Sequence, residues 1–207
     1  TPEELWNKTF AEPNEWLEKF NAVPFEDLNG TKQARYYQEL AVNNVMAAIA
    51  NDEKRALLTL ATGTGKTFIA FQIAWKLFKS RWNMQRDGKR TPRILFLADR
   101  NILANQAFLD FGAFSDDALV RIDAKEIGRN GEVPKNGSVF FTIFQTFMSG
   151  ADKHYFDECE KDFFDFVIID ECHRGGANNQ STWRDILNHF DSAVHLGLTA
   201  TPKRADN

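Results

Sequence analysis

Two short stretches of the chain place glycine, lysine, hydroxyl and carboxylate groups at spacings that suit phosphate chemistry. The first, LATGTGKT at residues 60–67, overlaps the apolar run LLTL of residues 57–60, which is typical of the end of a buried parallel strand. A glycine-rich turn from a strand into a helix directs backbone N–H groups and a helix N-terminus into one concavity, which suits a polyphosphate. Lys66 is expected to reach the β- and γ-phosphates, and the Thr67 hydroxyl to bind Mg²⁺. The expected nucleotide-binding residues of this turn are Thr62, Gly63, Thr64, Gly65, Lys66 and Thr67. The pattern has one departure, because Leu60 stands where its first glycine would fall.

The second stretch places two carboxylates directly after a continuous apolar run. Residues 166–169 read FVII, and Asp170 and Glu171 follow. A run without alternation predicts a strand buried on both faces, and the carboxyl end of such a strand is where open α/β sheets bind ligands. We expect Asp170 to hold Mg²⁺, directly or through water, and Glu171 to orient and deprotonate the attacking water. The two stretches together predict a domain that binds and hydrolyses ATP.

Strands and helices alternate along the chain around these two stretches. Apolar runs predict strands at residues 57–61, 93–98, 118–122, 138–144, 165–170 and 194–198. Helical periodicity predicts helices near residues 31–51, 66–80, 101–112, 145–162 and 181–190, and the stretch GRNGEVPKNG at residues 128–137 reads as a loop. The alternation predicts an α/β fold, with a doubly wound, mostly parallel sheet and helices on both faces.

Length and composition limit the domain organisation. At 207 residues there is room for one sizeable core and a short appendage. We interpret residues 1–30 as a connector packed on the ATP-binding domain, and residues 31–207 as that domain. No apolar run approaches the ~20 residues that span a bilayer, and no signal peptide is recognisable. Cys159 and Cys172 match no zinc spacing, and a disulfide at Cys172 would crowd the carboxylates, so the sequence predicts a reducing cytoplasm.

Charge does not by itself indicate a nucleic-acid partner. The formal net charge is −4, whereas proteins that neutralise phosphates usually carry a basic surface. One basic stretch joins a predicted helix to the next strand, and its members are Arg81, Arg86, Lys89, Arg90 and Arg93. Its position predicts that it lies at the amino ends of the strands, away from the nucleotide. There it could be a solvated loop, a partner surface or, less in keeping with its place, part of a nucleic-acid track.

Five motifs in a fixed order resemble a known family of motors. They are RYYQ at residues 35–38, ATGTGKT at 61–67, FLADRNILANQA at 96–107, DECHR at 170–174 and GLTATPKR at 197–204. In this order they resemble the Q motif and motifs I, Ia, II and III of the first RecA-like motor domain of a superfamily 2 helicase or translocase. The form of motif Ia is most similar to that of the restriction (R) subunit of type I restriction-modification enzymes. The resemblance covers roughly residues 30–205.

The resemblance implies further roles for named residues. Arg35 and Gln38 would contact the adenine of ATP, and His173 would join the catalytic set of Lys66, Asp170 and Glu171. His173 would also link hydrolysis to a coupling pair, and a further set would lie along a nucleic-acid strand. The coupling pair is Thr199 and Thr201, and the nucleic-acid set is Arg100, Gln106, Thr142 and Gln145. The bland alternative for Arg35, Gln38 and the nucleic-acid set is that they are ordinary surface residues.

The resemblance also implies a reaction and partners. It implies an ATP- and Mg²⁺-dependent translocase on double-stranded DNA, working with methylation and specificity subunits as part of a site-specific deoxyribonuclease. Two alternatives stay open: another superfamily 2 DNA helicase or repair protein, and a nucleotide-gated module that grips nucleic acid without processive hydrolysis. The chain ends shortly after motif III, so we expect residues 1–207 to lack a second motor domain and to hydrolyse little ATP alone. An upstream nuclease core, which would mark the restriction subunit, is not recognisable within these residues.

Overall fold

One six-stranded parallel sheet forms the centre of the protein. The computed structural model describes residues 1–2, 14–27, 30–150, 153–170 and 180–200. The strands are β1 (Arg55–Thr59), β2 (Ile94–Ala98), β3 (Leu119–Arg121), β4 (Val139–Ile143), β5 (Phe166–Asp170) and β6 (Val194–Thr199). Their order across the sheet is β1-β6-β5-β2-β4-β3, and every neighbouring pair is parallel. All six strands lie where apolar runs predicted them, and the prediction of a parallel sheet is confirmed.

Seven α-helices are described around this sheet. They are α1 (Glu15–Ala22), α2 (Tyr36–Ala50), α3 (Lys66–Lys79), α4 (Asn101–Asp110), α5 (Ala124–Asn130), α6 (Phe144–Met148) and α7 (Gln180–His189). None of the described helices is long and apolar enough to cross a membrane.

One helix prediction was wrong, and one short helix was missed. The helix predicted at residues 145–162 is instead the single short turn of α6, followed by a 3₁₀ turn at Tyr155–Glu158. The stretch at residues 128–137, predicted as a loop, begins with the last turn of α5. That helix is capped locally, since the Asp123 side chain accepts the N–H groups of Lys125 and Glu126, and Gly131 ends it at φ 77°. A helix of only 7 residues is easily missed when helices are predicted from apolar periodicity.

Alternate residues of the central strands belong to two separate hydrophobic clusters, one on each face of the sheet. On β2, Ile94, Phe96 and Ala98 join the cluster beneath α1 to α4. Leu95 and Leu97 join the cluster on the opposite face, together with Phe147 of α6 and Phe190 after α7. The continuous apolar runs are therefore needed because both faces of the sheet are covered by helices.

Strand β1 departs from this pattern. We predicted it as a buried strand, but it lies at the edge of the sheet, and its residues alternate between exposed and half-buried. Ala56 and Leu58 pack against the core, whereas the side chain of Leu57 is 57% exposed. An apolar run alone does not distinguish a central strand from an edge strand, because that difference depends on strand order.

Residues 14–27 are tied to the helices that carry the nucleotide-binding motifs. Trp16 and Phe20 of α1 are buried in the core. The Asn14 amide donates to the Ala50 carbonyl at 3.0 Å, at the end of α2. The Lys76 ammonium of α3 donates to the Phe20 carbonyl at 3.1 Å, and burial lowers its pKa. These bonds hold α2 and α3 against the segment of residues 14–27. The division of the chain at residue 30 stays a prediction.

Candidate nucleotide-binding site

The turn between β1 and α3 has the backbone geometry of a phosphate-binding loop. Gly63 and Gly65 both have φ 82°, in the left-handed region that favours glycine, and Gly65 immediately precedes the first residue of α3. A Cβ atom on Gly65 would lie 2.6 Å from Nε2 of Gln38, so this position is also too crowded for a side chain. The hydroxyl of Thr64 donates to the Ala61 carbonyl at 2.7 Å and closes the turn. The glycine-containing turn therefore leads directly into the N-terminus of a 14-residue helix.

Lys66 lies inside this turn. Lys66 is 9% exposed, and its ammonium donates to the Leu60 carbonyl at 3.3 Å. The side chain thus folds back across the loop to the residue at which the loop begins. This places a positive charge within the concavity of the loop, where a phosphate would be stabilised by a charge-assisted hydrogen bond.

The start of α2 is joined to the loop through Gln38. Its side-chain oxygen accepts the Arg35 backbone N–H at 2.9 Å, and its Nε2 donates to the Thr64 carbonyl at 2.8 Å. An amide side chain offers two N–H donors and two acceptor sites, so one of each is left after these bonds. A donor beside an acceptor is complementary to N7 and the N6 amino group of adenine. Gln38 can therefore brace the loop and still recognise the base.

A cleft of about 480 Å³ lies between α2, the loop and α4, which is a size that suits a nucleotide. Residues of three chain segments line it: Thr31, Lys32, Gln33, Arg35 and Gln38; Gly63, Thr64, Gly65, Thr67 and Phe68; and Gln106 and Asp110. The wall formed by α4 was not predicted. Lys32 and Asp110 form an ion pair across it at 3.3 Å. Gln106, which we predicted to lie along a nucleic-acid strand, lines this cleft, and its predicted role stays a prediction.

The second motif meets the loop at the same edge of the sheet. Asp170 ends β5, is 7% exposed, and lies opposite Leu198 of β6. The next residue of β6, Thr199, is opposite Thr59, and its carbonyl accepts the Leu60 N–H at 2.9 Å. Three neighbouring strands thus bring the start of the loop, Thr199 and Asp170 to the same edge of the sheet. Glu171, His173 and Thr201 lie outside the described residues, so their predicted roles stay predictions.

The residues predicted to bind Mg²⁺ supply one hydroxyl and one carboxylate. Within the described ranges, no group of three or more His, Cys, Asp or Glu side chains could hold a metal ion. In proteins a magnesium ion usually takes one or two carboxylates and completes its shell with water and substrate phosphates. Thr67 and Asp170 are residues of the right chemistry for that role.

The residues predicted to contact nucleic acid differ in their exposure to solvent. Thr142 is 2% exposed, and its hydroxyl donates to the Ile122 carbonyl at 2.8 Å, which joins β4 to the residue after β3. Its predicted contact to nucleic acid stays a prediction that this burial does not favour. Arg100 and Gln145 are exposed, and they follow the adjacent strands β2 and β4 at the carboxyl edge of the sheet. The side chain of Arg100 is 69% exposed and lies 3.6 Å from the carboxylate of Asp99. Their accessibility is compatible with the predicted role, which stays a prediction.

Sequence and structure comparisons place these features among restriction enzymes and helicases. The family described as type III restriction enzyme, res subunit, matches residues 31–204. The endonuclease subunit of the type I restriction enzyme EcoAI of Escherichia coli is 39% identical over 211 residues, which cover 98% of this chain and 24% of that protein. A solved fragment assigned as an HsdR subunit of a type I restriction enzyme from Vibrio vulnificus YJ016 is similar with a TM-score of 0.71 and 36% identity. That match covers 99% of this chain and 32% of the other.

The likeness extends in fold to a more distant helicase. The Hef helicase domain of Pyrococcus furiosus is similar with a TM-score of 0.63 at 20% identity, over 88% of this chain and 36% of that one. At this identity the match concerns the fold alone, and it confirms the predicted RecA-like α/β architecture. The predicted resemblance to restriction-enzyme R subunits is also confirmed. The chain spans only about a quarter of the length of the EcoAI subunit, at 24%. Since the family match extends over residues 31–204, this chain belongs to the family of the type III restriction enzyme res subunit, as its helicase-like domain.

Proposed function

We propose that this chain is the ATP-binding half of a DNA translocase, the motor part of the R subunit of a type I restriction endonuclease. The observation that carries the proposal is the meeting of the phosphate-binding loop and Asp170 at one edge of the sheet. The family match and the EcoAI relative support the restriction context. The alternatives are another superfamily 2 DNA helicase or repair protein and a nucleotide-gated binding module, and the second differs from the proposal in DNA-stimulated turnover.

The proposed mechanism assigns one task to each group at this edge. The N–H groups of the loop and the Lys66 ammonium bind the phosphates. Thr67 and Asp170 would hold the Mg²⁺, which would supply positive charge to stabilise the β- and γ-phosphates. Glu171 accepts a proton from the water that attacks the γ-phosphorus. His173, Thr199 and Thr201 transmit the state of the nucleotide to the nucleic-acid surface.

Base selection is assigned to the segment that precedes α2. Gln38 has one donor and one acceptor left for adenine, and it is held in place by its bonds to Arg35 and Thr64. The Arg35 side chain lines the same cleft and donates to the hydroxyl of Tyr37 at 3.1 Å. Arg35 would therefore contact the base or ribose from the rim of the cleft.

Double-stranded DNA is the proposed polymer, and Arg100 and Gln145 are proposed contacts to it. Methylation and specificity subunits are the proposed partners, and the cytoplasm is the proposed location. We further propose that residues 1–207 alone bind ATP weakly and show negligible DNA-stimulated hydrolysis. An arginine from a second motor domain typically contributes ~10³–10⁵ in rate to related phosphoryl transfers.

Phosphate release tests this function. In the full-length subunit assembled with its partners, double-stranded DNA should stimulate release, whereas residues 1–207 should show little release with or without DNA. A full-length complex that binds ATP but whose turnover ignores DNA would favour the gated binding module. Turnover by residues 1–207 at the level of the intact complex would contradict the division of labour between two motor domains.

A further inference from the structure

The motif RYYQ contains two adjacent tyrosines that the sequence does not distinguish. In the structure they have different environments. Tyr36 is 80% exposed, and no hydrogen bond of its hydroxyl is found among the described residues. Tyr37 is half-buried, and its hydroxyl donates to the Thr64 carbonyl at 3.1 Å. Of the two tyrosines, only Tyr37 is hydrogen-bonded to the phosphate-binding loop among the described residues.

The Thr64 carbonyl is held from two sides. It accepts the Tyr37 hydroxyl and the Gln38 amide, at 3.1 and 2.8 Å, which uses both of its acceptor positions. Both donors belong to the first turn of α2. These two hydrogen bonds span 26 and 27 residues of sequence, and they fix the phosphate-binding loop to α2.

This arrangement sets the direction of the peptide that links Thr64 to Gly65. In a planar trans peptide the C=O and the following N–H point in opposite directions, and no cis peptide bond occurs in the part of the chain that the structure describes. A carbonyl held against α2 directs the Gly65 N–H away from α2. An anion is attracted by N–H groups and repelled by carbonyl oxygens, so a loop with this peptide reversed would bind phosphate less well.

Arg35 strengthens the contact. Its Nη1 donates to the Tyr37 hydroxyl at 3.1 Å, so this hydroxyl accepts from a cation and donates to a carbonyl. A hydroxyl that accepts a charge-assisted hydrogen bond is polarised and becomes a better donor. The chain from Arg35 through Tyr37 to Thr64 is therefore directed towards the loop.

We propose that Tyr37 is a positioning residue that orients the phosphate-binding loop through the Thr64 carbonyl, and that it acts on the phosphates of any bound nucleotide without reading the base. This inference rests on the proposed function in so far as the loop binds nucleotide phosphates. It gives the two aromatic residues of the motif separate roles, and it separates orientation of the loop by Tyr37 from base recognition by Gln38.

The experiment compares Tyr37→Phe with Tyr36→Phe in the full-length subunit. Calorimetric titrations use ATP, GTP and inorganic triphosphate, each with Mg²⁺. Tyr37→Phe removes one hydrogen bond from the loop, so we expect affinity for all three ligands to fall by the same factor, about two- to tenfold. Tyr36→Phe should change none of the three, and it controls for the loss of a tyrosine hydroxyl in this turn.

Gln38→Ala provides the contrast. It removes a loop contact together with the base contacts, so ATP should weaken more than inorganic triphosphate, and the preference for ATP over GTP should fall. In Tyr37→Phe that preference should equal the wild-type value. Loss of folded protein would also lower the three affinities by a common factor. Thermal unfolding without nucleotide therefore has to show that each variant is fully folded at the temperature of the titrations.

Two results would overturn the proposal. If Tyr37→Phe binds all three ligands as Tyr36→Phe does, the hydroxyl does not orient the loop. If Tyr37→Phe changes the preference for ATP over GTP, the residue acts on the base. A wild-type protein that binds none of the ligands would instead overturn the proposed function itself, and this inference with it.

Discussion

The two ends of strand β5 carry the same type of side chain in opposite situations. Asp165 immediately precedes the strand and Asp170 ends it, and both are buried, at 0% and 7% exposed. Asp165 is surrounded by donors from its own protein. Asp170 lies at the edge where the phosphate-binding loop begins. The comparison shows how one strand separates a structural carboxylate from a candidate catalytic one.

At the amino end, all the contacts of Asp165 hold the chain together. Its oxygens accept both terminal nitrogens of Arg90, at 2.6 and 2.8 Å, and the backbone N–H groups of Met84 and Arg93, at 2.9 and 2.8 Å. The carboxylate raises the pKa of Arg90, chiefly through these hydrogen bonds. A charge removed from water is tolerated when it is paired and hydrogen-bonded in this way.

The same contacts explain the basic stretch that precedes β2. Arg86 pairs with Asp52 at 2.7 Å, and Arg93 lies over the ring of Phe163 at 4.4 Å. Together with Arg90, three of its five cations are therefore engaged within the protein. This argues against a nucleic-acid track at the amino end, as its position in the sequence had indicated.

At the carboxyl end, polar groups line a cleft instead. The loop, the start of α2 and α4 surround about 480 Å³ of open space, and Asp170 and Thr199 lie on the strands beside β1. Substitutions at the two ends should therefore have different effects. Those at the carboxyl end should change the hydrolysis of ATP, and those at the amino end should change the stability of the fold.

The largest expected effect is at the carboxyl end. Glu171→Gln in the full-length subunit should leave Mg-ATP binding largely intact and reduce hydrolysis by ~10²–10⁴, because an amide does not accept the proton of the attacking water. Asp170→Asn should instead raise the Mg²⁺ concentration needed for turnover. Single-turnover hydrolysis and nucleotide titration measure these effects. Near-normal turnover in both variants would exclude these carboxylates from the mechanism.

The matching substitution at the amino end should affect folding. Asp165→Asn should lower the free energy of unfolding by about 3 kcal/mol, the lower end for breaking a buried ion pair, since the Arg90 side chain is 37% exposed and can be hydrated. Urea denaturation measures this loss. The affinity for ATP at low temperature should not change, and a selective loss of ATP binding would contradict the contrast between the two ends.

A smaller effect is expected from the cation of the loop. Lys66→Ala removes a charge-assisted contact to the phosphates and should weaken ATP binding by about 1.5–3 kcal/mol. Titration with a fluorescent nucleotide measures the change. The matched control is Lys79→Ala, at the far end of the same helix, where the ammonium lies 4.3 Å over the ring of Trp75. An affinity equal to that of the control would refute the assignment of Lys66.

The smallest effect concerns pH and a histidine on β6. Burial lowers the pKa of His195 from 6.5 to about 4, and its Nε2 lies 2.9 Å from the Phe190 carbonyl. Because the unfolded chain takes up this proton first, the stabilisation is present above pH 6.5 and is lost as the pH falls towards 4. This should amount to about 2 kcal/mol between pH 7 and pH 5.

Urea unfolding at both pH values measures the effect of His195. His195→Gln keeps a donor for the carbonyl but does not titrate, so its stability should depend less on pH than that of the wild type. Equal pH dependence in the two proteins would assign the acid sensitivity to other groups.

Local sequence determined much of what lies at the carboxyl edge. The glycines of the loop, Lys66 and Thr67 occupy consecutive positions, and the acids directly follow an apolar run. Such features need only a strand, a turn and a helix in order, so a contiguous pattern predicts them. The same is true of β2, β4, β5 and β6, since continuous apolar runs follow from burial on both faces of a parallel sheet.

Only the tertiary structure decided which of these residues have partners far away in the chain. It placed β1 at an edge, turned Thr142 towards Ile122, joined Asp165 to Arg90, and distinguished Tyr37 from its neighbour. Each of these depends on strand order or on a hydrogen bond between distant segments. The types of residue at a site are therefore readable from short patterns, whereas partners and burial arise from long-range packing, which no local pattern records.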